Sequence, residues 1–152
     1  MTDTGDLERE FINEQKGEGS LSIFLADGDT SEYVGWDINP EDLEAIYFEG
    51  IGVPRWESLQ ADTVEEQTAL YWERFNALMD SLPMIGRVRD TDQKIEFAPD
   101  EVDHLFGECD EILLAAKDAK AKRSLKKISL AARKAIERHA ALKLVPSQIP
   151  NF

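Results

Sequence analysis

The chain has 152 residues, with 31 acidic side chains against 17 basic ones and a formal charge of −14. With 42% hydrophobic residues it carries enough apolar material to bury one domain's core, which excludes wholesale disorder. Apolar runs such as Ile112–Ala115 fall far short of the roughly 18–20 residues a membrane span needs.

Asp3, Asp6, Glu8, Glu10, Glu14 and Glu18 crowd the first twenty residues, the opposite of a secretory signal. One cysteine, Cys109, permits no internal disulfide and no cysteine-cluster zinc site. Both features lead us to expect a reducing, cytoplasmic setting.

In chain order, residues 6–15 place Leu7, Phe11 and Ile12 on one side of a short helix that Gly17-Glu18-Gly19 breaks. From Leu21 to Ile38 the pattern alternates: Leu21, Ile23 and Leu25 precede Asp27-Gly28, and Val34, Trp36 and Ile38 follow it, which predicts a hairpin. Asn39-Pro40 starts a helix with Asn39 as its cap, running to about Glu49, where Gly50 stops it.

The clearest helix covers about Thr63–Leu82, with Val64, Tyr71, Phe75, Leu78 and Leu82 at helical steps, a capping box from Asp62 and Glu65 or from Thr63 and Glu66, and Pro83 as terminator. Met84–Arg89 and Lys94–Phe97, flanking Asp90–Gln93, read as a second hairpin. A further helix begins near Asp100 and buries Val102, Leu105, Phe106, Cys109, Ile112, Leu113 and Ala116.

The apolar period resumes at Leu125, Ile128, Ala132, Ile136 and His139, so either one long helix runs to about Leu144 or, as we prefer, two helices meet near Ser124. Two prolines exclude a helix from the tail, 145–152. Together these elements predict an α+β fold: one compact domain of about five helices with two short β-hairpins, ending in a basic amphipathic helix.

Charge divides the chain sharply. Residues 1–116 hold 29 acids and 7 bases, a balance of −22, whereas residues 117–152 hold 2 acids and 10 bases, a balance of +8. This gives an acidic body (1–116), a basic helical region (117–144) and a tail.

At 100° per residue, Lys120, Arg123, Lys127, Lys134 and Arg138 fall within about 60° of one another, a cationic stripe expected on the outer face of its helix. One function for it is contact with nucleic acid or an acidic surface; the bland alternative is that its bases offset the acidic body beside them.

The acids are spread through Glu41, Asp42, Glu44, Glu57, Asp62, Glu65, Glu66, Asp100, Glu101 and Asp103. A surface of that sign attracts basic proteins quickly, with Tyr33, Trp36, Trp56 and Trp72 as candidate anchors. We therefore expect a non-enzymatic protein-binding module whose face includes Glu41, Asp42, Glu44, Glu65 and Glu66. By physical class it compares with toxin-neutralising immunity proteins, inhibitors and nucleic-acid mimics.

No cofactor is expected, because Gly50-Ile51-Gly52-Val53-Pro54 lacks the further glycines and the Lys-Ser/Thr ending of nucleotide-binding loops. The segment Asp27-Gly28-Asp29-Thr30-Ser31, after an apolar strand, resembles the nucleophile motif of haloacid-dehalogenase-like phosphotransferases. That resemblance implies a metal-dependent hydrolase in which Asp27 attacks phosphorus and Asp29 acts as acid or base, on a parallel sheet; a hairpin turn explains the same residues. As a calcium loop it fails, since Glu32 and Ile38 stand where Gly and Glu are needed.

Asp100, His104 and Glu108 share a helix face with metal-ligand spacing, though such trios are more often solvated. Cys109 lies on an apolar stripe about 140° from His104, so only His139 is left to activate it, and His139 itself reads as a core histidine.

Overall fold

In the computed structural model, which describes residues 4–14, 20–88 and 94–146, the alternating segment forms the expected hairpin. Strands β1 (Leu21–Asp27) and β2 (Thr30–Ile38) pair antiparallel, with Asp27 opposite Thr30 across a loop of Gly28 and Asp29. Thr30 Oγ1 donates to the Asp27 carbonyl at 2.8 Å and closes the turn.

The register slips between Ser22 and Phe24, so that residues 34–36 stand opposite Ile23 alone. Gly35 occupies this bulge because of what lies over it: a Cβ there would sit 2.9 Å from Ile12 of the N-terminal helix α1 (Thr4–Asn13), and its φ of +109° disfavours any side chain.

The sheet is completed by β3 (Ile95–Phe97) and β4 (Ala141–Pro146) in the order β2-β1-β4-β3, every neighbouring pair antiparallel. Among the described residues the second expected hairpin does not form. Lys94–Phe97 contains β3, but its partner is β4, and of the expected strand Met84–Arg89 the described residues, 84–88, hold a 3-10 turn at Ile85–Arg87.

Backbone groups that a ladder would use are taken there. The Glu108 carboxylate accepts from the Met84 and Ile85 amides at 3.1 and 2.8 Å, and the Tyr47 hydroxyl lies in reach of the Ile85 and Val88 carbonyls. The expected turn at Asp90–Gln93 lies outside the described residues.

Helix α2 (Pro40–Ala45) continues into a π-helical turn, Ile46–Ile51. It runs past Gly50 and stops at Gly52, whose φ of +91° suits a left-handed cap. Asn39 stands at the start without capping; its side chain accepts from Ser20 Oγ instead.

Helix α3 (Val64–Asp80) has the predicted cap: Thr63 Oγ1 accepts from the Glu66 amide and the Glu66 carboxylate from the Asp62 amide. Helices α4 (Pro99–Ala115) and α5 (Ala119–Arg138) are indeed two, but they part at residues 116–118, where the Asp118 carboxylate caps α5. Ser124 is buried inside α5, and α5 ends at His139 in left-handed geometry rather than near Leu144.

The described chain therefore closes on a strand, not on the basic helix. Leu21, Ile23, Leu25, Ile95, Phe97, Leu142 and Leu144 belong to the same core as the buried side of α4 and α5. Ser22, Phe24, Glu96 and Lys143, out of phase with them, are half-buried or exposed. No helix among the described residues is long and apolar enough to cross a membrane.

Candidate functional site

The cationic stripe of α5 meets its own acidic body, fully buried at Lys127, half-buried at Arg123 and Lys134 and still exposed at its two ends, Lys120 and Arg138. Lys127, fully buried, donates to Glu14 Oε1 at 2.7 Å and to the Asp37 carbonyl at 2.8 Å. Arg123 pairs with Glu10 at 2.7 Å and with Glu14, Lys134 with Glu8 at 3.2 Å, Lys120 with Glu41 at 3.5 Å, and Arg138 with Glu32.

All five stripe residues thus meet carboxylates of α1, of Glu14 just after it, of α2 or of β2, which is the alternative in which the bases offset the acidic body; a basic outer face is left only at the exposed Lys120 and Arg138. The reason is rotational. The stripe borders the arc buried by Ala121, Ser124, Leu125, Ile128, Ala131, Ala132 and Ala135, so its side chains reach neighbouring elements. Lys126, Arg133 and Glu137 take the solvent side.

Around Lys127 the polar groups interlock. Trp36 Nε1 donates to the Lys127 carbonyl at 3.1 Å, Tyr33 donates to Asp37 Oδ1 at 2.6 Å, and Ser124 Oγ lies 2.9 Å from the Asp42 carbonyl. Tyr33 is pushed up, first by burial and then by Asp37. Burial works against the charged form of Glu14, but hydrogen bonds and charge from Lys127 and Arg123 outweigh it and hold the carboxyl below its ordinary value. Asp42 goes the other way: burial raises it, and Lys127 pulls back without cancelling the rise.

These two shifts set opposite pH dependences. Glu14 has an ordinary value of 4.5 and a lower one in the fold, so its contribution is present above 4.5 and is lost as pH falls through the folded value. Asp42 has an ordinary value of 3.8 and a higher one in the fold, so its contribution is present below 3.8 and is lost as pH rises through the folded value. Urea midpoints measured between about pH 3 and pH 7 should therefore show a shallower acid limb for Glu14→Gln, and for Asp42→Asn less gain in stability on leaving neutral pH.

The remaining candidates do not converge. Asp27 and Asp29 sit exposed at the tip of a hairpin in an antiparallel sheet, which is not the strand-to-crossover setting on a parallel sheet that the phosphotransferase resemblance implies. Of Asp100, His104 and Glu108, the last is held on the Met84 and Ile85 amides and the other two are exposed. No cluster of metal-ligating side chains occurs among the described residues.

Cys109 is buried, and burial pushes its thiol up, away from thiolate chemistry. His139, expected in the core, is exposed, because the left-handed end of α5 turns it out.

Among the acids, Glu41, Glu44, Glu65 and Glu66 are exposed, whereas Asp42 is buried at 8% exposure and leaves the expected face. Of the four aromatic anchors, Trp36 is core, while Tyr33, Trp56 and Trp72 reach the surface.

Helix α3 buries only Phe75 and Met79 and turns Glu65, Glu66, Glu73 and Asp80 outward. Trp72, 49% exposed, is braced edge-on by Tyr71 and Phe75 at 5.4 and 5.5 Å. Sequence reading missed Glu8, Glu10 and Glu14 as partners of the stripe; the crowding of acids around Leu7, Phe11 and Ile12 was the available signal. Comparison with protein families, with curated proteins and with solved structures returned no match.

Proposed function

We propose that this chain is a non-enzymatic module that binds a basic protein through the outer face of α3, as an inhibitor or immunity-type blocker does. One observation carries this reading: α3 presents Glu65, Glu66, Glu73 and Asp80 beside a half-exposed, braced Trp72. Charge of one sign speeds encounter, and a rigid aromatic supplies residence time. Because Arg123, Lys127 and Lys134 at the middle of the stripe are paired internally, they offer little attraction to nucleic acid, whereas the chain keeps a formal charge of −14.

The test is capture at low salt after nuclease treatment, with tagged wild type, Glu65→Lys/Glu66→Lys, Glu41→Lys/Glu44→Lys and Trp72→Ala side by side. A basic protein is expected in stoichiometric amount, with reversal on α3 lowering its affinity at least about tenfold through slower association. Trp72→Ala should act mainly on dissociation. Binding unchanged in both reversal variants overturns the acidic-face mechanism.

A further inference from the structure

Helix α1 lies on β2 and α5 in the manner of a bound ligand. Phe11, 1% exposed, packs its ring centroid 5.9 Å from that of Trp36, with the Arg123 guanidinium 5.1 Å and the Lys127 ammonium 5.6 Å from the Phe11 ring. Around this anchor, Glu8 pairs with Lys134, Glu10 with Arg123, and Glu14 with Lys127 and Arg123. Ile12 rests over Gly35, the one place on the bulge where the backbone is bare.

An aromatic floor, flanking bases and a bare backbone are the parts of a groove that takes an amphipathic helix. We propose that Gly35, Trp36, Arg123, Lys127 and Lys134 form a docking groove for an acidic helix of a partner protein with an aromatic residue in the place of Phe11, and that α1 occupies it as an internal competitor. Charge complementarity argues for that occupant: three of the five stripe bases are met here by carboxylates of α1 and of Glu14, the residue that follows it. Only residues 14–20 separate α1 from β1, so its effective concentration at the groove is of order mM, and an outside helix of equal affinity enters only when α1 is weakened.

This inference stands apart from the α3 reading, which concerns basic partners. Its test uses the full chain carrying Glu10→Gln and Phe11→Ala, with a fluorescently labelled peptide of residues 4–14 as the probe and near-ultraviolet circular dichroism to verify the fold. The variant should bind the peptide at least about tenfold more tightly than wild type does, with Trp36 emission responding and added salt weakening the complex. A peptide with alanine at the Phe11 position should not bind. A folded variant that binds no better than wild type overturns the proposal.

Should the variant fail to fold, amide exchange on the unaltered chain decides. The amides of α1 should exchange well before those of β1 and α5, and faster still in salt. Exchange of α1 only together with the core means the groove cannot be vacated in the fold and overturns the proposal. So does a dimer of the unaltered chain with exchanged α1 helices, which would assign the groove to a second copy.

Discussion

Replacing Lys127 with methionine is expected to destabilise the protein by about 3 kcal/mol, the low end of the roughly 3–5 kcal/mol for removing one partner of a buried ion pair. The low end applies because Arg123 still holds Glu14 when Lys127 is gone. What is lost outright is the donor to the Asp37 carbonyl, in a site with no exposed lysine surface at all. Urea unfolding at neutral pH measures it. The double variant with Glu14→Gln should cost less than the two single changes added together, since the second change no longer strands a charge. A loss below about 1 kcal/mol would mean that Lys127 behaves as an exposed surface pair.

Trp36→Ala is expected to cost about 3–5 kcal/mol, as large aromatic truncations in cores do. Its ring is the floor under Phe11, and its indole N–H is tied to the α5 backbone, so one residue joins α1, β2 and α5. Trp36→Phe keeps the six-membered ring but loses the pyrrole part of the indole and the hydrogen bond to the Lys127 carbonyl, and the expected loss falls to about 1–3 kcal/mol. Equal losses in the two variants would mean that the bond, not the packing, dominates.

Local signals were legible where one element satisfies itself. Asp27-Gly28 between alternating runs announced the β1–β2 hairpin, and Thr63 with Glu66 announced the start of α3. Met84–Arg89 misled because a short apolar run has no period of its own, and what decides its conformation is Glu108, more than twenty residues away. Asn39 failed as a cap for a similar reason: Ser20 claims its side-chain oxygen.

The stripe on α5 was legible as five bases on one side of a helix. Its direction was not, because Glu8, Glu10 and Glu14 reach it from more than a hundred residues away. Likewise the alternation of Leu142, Lys143 and Leu144 is too short to mark Ala141–Pro146 as a strand so close behind a helix, and its partners β1 and β3 meet it only in the assembled fold.

That last strand has a consequence for how the protein comes into being. β4 lies between β1 and β3 and pairs residue by residue with a segment more than a hundred positions earlier. While a growing chain still has residues 141–146 inside the ribosome, the first hairpin stands with one bare edge and Ile95–Phe97 has no strand to join. An open edge built on Leu21, Ile23 and Leu25 is a template for other nascent copies. Pairing across so long a stretch of chain also makes closure of the sheet slow. Biosynthesis of this protein therefore passes through an interval in which closure of the sheet by β4 competes with pairing of that edge between copies.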